Sequence, residues 1–238
     1  MHIPDIPSRP QASLFVLLLE DDELLRDRVL VPRLQQFGFE VMAIGHAADL
    51  DRHMNEHRPD IVVLDVGLPD RNGFDVAREL RKERTDVGIV MLTARGETTD
   101  RVRGLSEGAD AYLSKPVDID LLAATLYSLA RRLRSSSLYC AGQNWRLDAE
   151  GWCLLSPAGD IVALTQTEGR LLAPLLETPN RVISRDVLIG ALTSNVDGFD
   201  PHRLEALIHR LRKKVLHVLG IALPLNAVPG QGYVLVSR

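Results

Sequence analysis

The chain has 238 residues and a mass of 26.4 kDa, room for two domains of ordinary size. Its 45% hydrophobic and 25% charged residues are a globular composition and exclude the low-apolar, high-charge signature of disorder. The apolar run near the start, Leu14 to Leu19, is far short of the ~18 residues of a membrane span and has no basic flank, which excludes a span and a signal peptide. The two cysteines, Cys140 and Cys153, have neither zinc-site spacing nor disulfide density, as expected of free thiols in a reducing cytoplasm.

The net charge of -4 divides unevenly at Ser135-Ser136-Ser137. Residues 1–137 hold 18 Lys+Arg against 23 Asp+Glu, net -5, and residues 138–238 hold 10 against 9, net +1. Five of those ten cations, Arg203, Arg210, Arg212, Lys213 and Lys214, fall in one twelve-residue segment, a local patch suited to nucleic acid. Residues 1–12, with Pro4, Pro7 and Pro10, read as a disordered leader, 13–134 as a first domain, 135–137 as a linker and 138–238 as a second domain.

In the first domain, short apolar runs at Leu14 to Leu19, Val41 to Ile44, Ile61 to Leu64, Ile89 to Leu92 and Ala111 to Leu113 alternate with amphipathic, helix-length stretches. Five βα repeats predict a doubly wound parallel sheet, in which ligands bind beyond the carboxyl ends of the strands. At those ends stand Glu20, Asp21 and Asp22, then Asp65, Thr93 and Lys115-Pro116. An acid after a strand is ordinarily a turn or helix cap. Together, however, Glu20, Asp21 and Asp65 would converge with the Thr93 hydroxyl and the Lys115 ammonium. Crowded carboxylates resist ionising together unless a cation sits among them, and Mg2+ (or Mn2+) suits oxygen ligands and a phosphoryl group. Asp65 could then attack phosphorus, with the metal and Lys115 offsetting charge on the equatorial oxygens.

These residues resemble the receiver domain of two-component response regulators. The resemblance lies in Leu18-Leu19-Glu20-Asp21-Asp22, Val63-Leu64-Asp65-Val66-Gly67-Leu68-Pro69-Asp70, Asn72-Gly73, Met91-Leu92-Thr93-Ala94-Arg95 and Gly108 to Pro116. It implies a flavodoxin-like five-stranded fold, with Asp65 as phosphoacceptor for a sensor histidine kinase. It further implies a metal held by Glu20, Asp21, Asp65 and the Gly67 carbonyl, with Lys115 on the phosphoryl group, Thr93 and Tyr112 as the switch pair, and a cis Lys115-Pro116 bond. Pro32 falls inside the expected first helix and should make it irregular. Ala111, Leu121 and Thr125 stand where the OmpR/PhoB subfamily usually has Asp, Glu and Arg on the dimer face made by the family's fourth helix, fifth strand and fifth helix. Asp100 and Arg101 remain there. The expectation is that the protein forms a homodimer on phosphorylation through an atypical receiver interface, or dimerises less readily than the subfamily does.

The second domain opens with short strand-like pieces, Trp145 to Leu147, Trp152 to Leu155 and Ile161 to Leu164. Thr165-Gln166-Thr167-Glu168 fits a capping box, Ser184 can cap a second helix to about Leu192, and Asp200-Pro201 opens a third. At 100° per residue, Leu204, Leu207, Ile208, Leu211, Val215 and Val218 form a core stripe. His202, Arg203, Ala206, His209, Arg210, Lys213, Lys214 and His217 share the opposite face, with Arg212 on the flank. Such a face is either a solvated surface or a recognition helix for the major groove.

The order of strands, three helices and a terminal hairpin resembles the α+β winged helix-turn-helix of the OmpR/PhoB subfamily. The carrying residues are Leu164 to Glu168, Leu171-Leu172, Arg181 to Arg185, Leu188, Ile208 to Lys214 and Gly230-Gln231-Gly232-Tyr233. Against that pattern, Gly169 takes the place of a core aromatic, His202 of a DNA-contacting Arg, Ala227 of a Thr and Pro229 of the wing Arg. DNA contacts are expected from His202, Arg203, His209, Arg210, Lys213 and Lys214, with Arg212 reaching a phosphate.

The resemblance implies a cytoplasmic transcriptional regulator that binds double-stranded DNA and is controlled by phosphorylation, with RNA polymerase as a further partner. It would perform no chemistry beyond accepting the phosphoryl group and losing it again. The alternative is a phospho-dependent protein-interaction module whose winged helix has lost specific DNA binding. A metal-dependent phosphohydrolase would also need the carboxylates, but no second general acid is evident.

Overall fold

A computed structural model of the chain describes residues 14–93, 108–133, 144–149, 151–196 and 198–237. The leader, the serine linker, Asp100, Arg101 and Cys140 lie outside the described residues. The apolar runs of the first domain form five parallel strands, β1 (Phe15–Leu19), β2 (Glu40–Ile44), β3 (Ile61–Asp65), β4 (Gly88–Thr93) and β5 (Ala111–Ser114), in the order β2-β1-β3-β4-β5. Alternation along β1 sorts the side chains to two cores. Val16 and Leu18 pack with Leu30, Leu34, Leu122 and Leu126 on one face. Leu17 and Leu19 pack with Leu50, Met54, Phe74 and Leu80 on the other.

The helices on those faces are α1 (Val31–Gln36), α2 (Leu50–His57), α3 (Gly73–Glu83) and α4 (Ile119–Leu133). A π-helical stretch, Leu24–Leu30, leads into α1, whose first turn contains Pro32. Proline has no N–H for the preceding turn, and the widened helix is the irregularity expected there. Asn72 caps α3 by accepting from Phe74 N at 2.9 Å.

The second domain begins with an antiparallel sheet of β6 (Arg146–Leu147), β7 (Cys153–Leu155) and β8 (Ile161–Ala163). Helices α5 (Gln166–Glu177), α6 (Arg185–Leu192) and α7 (Pro201–Leu219) follow, with β9 (Val182–Ser184) preceding α6 and pairing with the terminal hairpin β10 (Leu225–Val228) and β11 (Gly232–Leu235). Thr165 and Glu168 make both halves of the capping box, Ser184 caps α6, and Asp200 with Pro201 starts α7. Leu204, Ile208, Leu211 and Val215 of α7 meet Leu171, Leu172 and Leu175 of α5 in one core. Gly169 fits because the backbone comes to it: a Cβ there would stand 2.4 Å from the Gly151 carbonyl oxygen, so no aromatic ring has room.

The domains are packed together. Helix α4 runs along β8, Ala163 joins the receiver-side core, and Arg131 Nη1 donates to Gly159 O at 3.5 Å. Trp152 lies on Gly38, filling the space that a side chain at 38 would need, a Cβ there falling 2.5 Å from the ring.

Candidate functional site

The sheet delivers the predicted acids to one edge. Glu20 follows β1 and is fully buried, Asp65 ends β3 and is 6% exposed, and Asp21 remains exposed. One carboxylate oxygen from each of the three lies within 4.8 Å of the others. Lys115 follows β5 and is joined to Pro116 by a cis bond; its Nζ donates to Glu20 Oε1 at 2.8 Å and to Asp65 Oδ2 at 2.8 Å. Gly67 N donates to Asp65 Oδ1 at 3.2 Å. Thr93 ends β4 beside them and accepts from Lys115 N through its carbonyl at 2.7 Å. Tyr112 is half-buried on β5, packed against the core with its hydroxyl shielded from water.

The electrostatics are those of a site short of cation. Burial is the largest influence on Glu20 and raises its pKa above the ordinary 4.5; the Lys115 hydrogen bond opposes it and repulsion from Asp65 adds to it. Burial pulls Lys115 down, but its hydrogen bonds to Asp65 and Glu20 win, and its pKa lies above 10.5. One ammonium faces three carboxylates, with Lys115 Nζ 2.8 Å from both Glu20 oxygens and from Asp65 Oδ2. Buried carboxylates that outnumber their counter-charge are costly. The all-oxygen donor set, with three carboxylates to one ammonium, therefore fits a hard divalent cation.

Two residues outside the predicted set shape this edge. Arg26 Nη1 donates to the Glu20 carbonyl at 3.1 Å, and Asp22 Oδ1 accepts from Leu25 N at 3.0 Å. Asp22 belonged to the acidic cluster in sequence but serves the turn into the helix.

On α7, His202, Arg203, His209, Arg210 and Lys213 are exposed, as is Ala206 between them. Arg203 sits over the Phe199 ring, 5.4 Å from its centroid, and His202 Nδ1 is 3.8 Å from Glu205. Two of the predicted DNA contacts are placed differently. Lys214 is buried: its Nζ bonds Glu168 Oε2 at 2.8 Å, pairs with Asp120 at 3.0 Å and sits 4.5 Å from the centre of the Phe37 ring. Position 214 borders the core stripe, and the first domain covers that border. Arg212 is half-buried, with its guanidinium donating to the Leu225 carbonyl at the base of the hairpin, from Nε at 2.8 Å. Pro229 is exposed at the hairpin tip.

Comparison with known proteins agrees with both halves. Residues 16–127 match the family described as "Response regulator receiver domain", and residues 159–235 match "Transcriptional regulatory protein, C terminal". The virulence transcriptional regulatory protein PhoP of Salmonella typhi is 33% identical over 226 residues, covering 94% of this chain and 99% of that protein. The transcriptional regulatory protein PhoP of Escherichia coli O6:H1 is 33% identical over 224 residues, with the same coverage. Among solved structures, DrrB of Thermotoga maritima, an OmpR/PhoB homolog, is 25% identical with a TM-score of 0.45, covering 94% of this chain and 100% of that one. An acid-lined receiver joined to a winged helix defines a phosphorylation-regulated, DNA-binding transcription regulator. The chain belongs to the OmpR/PhoB family of response regulators.

Among the described residues, no helix is long and apolar enough to cross a membrane.

Proposed function

We propose that Asp65 accepts a phosphoryl group from a sensor histidine kinase and that the resulting change in the receiver alters how the second domain meets DNA. The observation that carries this reading is the convergence of buried Glu20 and Asp65 on Lys115 Nζ, each at 2.8 Å. In the transfer, the phosphorus–nitrogen bond of the kinase phosphohistidine breaks and an Asp65 oxygen–phosphorus bond forms, giving a mixed anhydride and a freed imidazole. Glu20, Asp21, Asp65 and the Gly67 carbonyl would hold Mg2+ (or Mn2+), which when bound offsets charge on the phosphoryl oxygens. Lys115 is already placed to contact a phosphoryl oxygen as it leaves the Asp65 carboxylate. Thr93, at the end of β4, would donate to another, and Tyr112 would follow it as the second half of the switch. Phosphorylation from acetyl phosphate with Mg2+, read by mass spectrometry, tests this. Wild type should gain one phosphoryl group and Asp65→Asn none; labelling that survives Asp65→Asn would overturn the assignment.

For DNA, the proposed contact set is Arg203, His209, Arg210 and Lys213, with His202 at the helix start. These side chains remain in solvent while the two domains are packed together, which favours DNA binding over the protein-interaction alternative. The domains are proposed to run from 13 to 134 and from 138 to 238, and the protein to act in the cytoplasm, where the kinase, DNA and RNA polymerase meet it. Leu121 is 45% exposed and the Thr125 hydroxyl donates to the Leu121 carbonyl at 2.8 Å, so neither provides a charge for a dimer. The homodimer, if formed on phosphorylation, would then rest on other contacts. Light scattering of the beryllofluoride-treated protein, with charge reversals at Asp100 and Arg101, tests this; a tight dimer that those reversals abolish would refute it.

A further inference from the structure

A second cluster of metal-ligating side chains lies on α2, away from the acidic edge. Leu50 and Met54 turn inward to the core, which leaves His53, Glu56 and His57 on the outer flank of the helix. Spacings of three and four residues stack these side chains on one helix face. One donor atom from each lies within 4.8 Å of the other two. The two imidazoles are stacked with centroids 5.6 Å apart and planes at 17°, and His57 Nε2 is 3.6 Å from Glu56 Oε2. The Phe15 ring meets His57 edge-on at 6.2 Å. Phe15 opens β1, whereas Glu20 follows the other end of that strand, so this cluster and the acidic edge are at opposite ends of the sheet.

We propose that His53, Glu56 and His57 form a binding site for a borderline divalent transition ion, Zn2+ being the probe of choice. Imidazole nitrogen with a single carboxylate selects zinc, copper or nickel over the magnesium suited to the all-oxygen edge. His53 Nε2 lies 3.4 Å from Arg52 Nη2, and a guanidinium can only donate, so that nitrogen presents a lone pair, the form a metal requires. The same Arg52 Nη2 is 2.8 Å from Asp49 Oδ1, so it would keep a partner when a metal takes the His53 nitrogen. His53 Nδ1 is buried and has no hydrogen-bond partner, so Arg52 is the one polar contact of this ring among the hydrogen bonds of the described residues. His57 ends the helix, where the dipole's negative end favours a cation. Ligation at about 2.0 Å to nitrogen would draw the three donor atoms in on the ion, with water completing the tetrahedron.

The test uses untagged full-length protein in excess MgCl2, which occupies the acidic edge, titrated with ZnCl2 by calorimetry. Wild type should bind a single zinc equivalent and melt at a higher temperature with it. His53→Gln or His57→Gln should weaken binding at least tenfold, Glu56→Gln less, and the double histidine variant should abolish it. Unchanged zinc stoichiometry and affinity in the double variant, or no zinc heat in wild type, overturns the proposal. Should that variant misfold, Co2+ added to wild type decides: visible bands of a tetrahedral nitrogen–oxygen site support it, and an octahedral, water-like spectrum overturns it.

Discussion

Asp118 Oδ2 lies 2.8 Å from His217 Nε2, so one carboxylate joins the start of a receiver helix to the helix that carries the basic face. The other oxygen of Asp118 accepts from Asp120 N at 3.0 Å and Leu121 N at 3.2 Å, capping α4. Burial works against the charge on Asp118, but the His217 hydrogen bond and the two amides outweigh it and hold its pKa below 3.8. A depressed carboxylate contributes stability that is complete above its unfolded pKa and lost as pH falls through the folded one. The domain contact should therefore be intact at neutral pH and loosen in acid below about pH 4. Asp118→Asn keeps a cap but loses the charge opposite His217. Small-angle scattering at pH 7 should show this variant more extended than wild type, and unchanged scattering would assign the contact no role in holding the domains.

Lys214 ties three structural pieces together: the α5 capping box through Glu168, the receiver through Asp120, and the Phe37 ring. Replacing it with Met leaves Glu168, itself 8% exposed, without its counter-charge. Breaking a buried pair from one side costs about 3 kcal/mol. Urea unfolding of Lys214→Met should show a loss of that order, and adding Glu168→Gln should recover part of it. Asp120→Asn, at the exposed side of the cluster, should cost less than 1 kcal/mol, about the value of a surface pair.

Much of this was legible in the sequence, and the rest failed for identifiable reasons. The strands of the receiver were visible as apolar runs, and the acids at their ends as a cluster, because a buried parallel strand leaves polar residues only at its mouth. The capping residues Thr165, Glu168, Ser184 and Asp200 were readable because each acts within four residues. Strand β9 was not: Val182-Ile183-Ser184 is three residues long and is a strand only because β11 lies beside it. The domain contact was equally hidden. Phe37, Gly38, Asp118 and Trp152 are unremarkable alone, and helical periodicity places Lys214 by angle without knowing that a second domain covers the edge of its face. His53 and His57 give no such signal, because α2 contributes nothing to the strand ends where the acids gather.

The raised pKa of Glu20 sets how the acidic edge responds to acid. Its proton returns at a pH above 4.5, so protons compete for the metal earlier than at an ordinary glutamate. Mg2+ affinity, measured by calorimetry at descending pH, should begin to fall above that value. A carboxyl whose folded pKa is raised destabilises the metal-free fold above its unfolded pKa, and this penalty disappears on protonation. Glu20→Gln should thus weaken Mg2+ binding at least tenfold without lowering the melting temperature in metal-free buffer. A large fall in that melting temperature would show that the Lys115 pair outweighs burial.

The two classes of cation on α7 predict different salt behaviour. Arg210 and Lys213 are exposed on one face, whereas Lys214 is buried and committed to Glu168. Each phosphate neutralised releases counterions, so loss of a phosphate contact lowers the slope of log K against log salt by about one. Lys213→Ala should show that reduction on any duplex. Arg210→Ala should cost about 1 to 3 kcal/mol on a selected genomic site and little on random DNA, as expected of a side chain that reads a base. Lys214→Met, measured where it remains folded, should leave the slope unchanged. Fluorescence anisotropy at three salt concentrations separates these outcomes, and a slope change for Lys214→Met equal to that of Lys213→Ala would mean that the domain contact opens on DNA and gives Lys214 to the backbone.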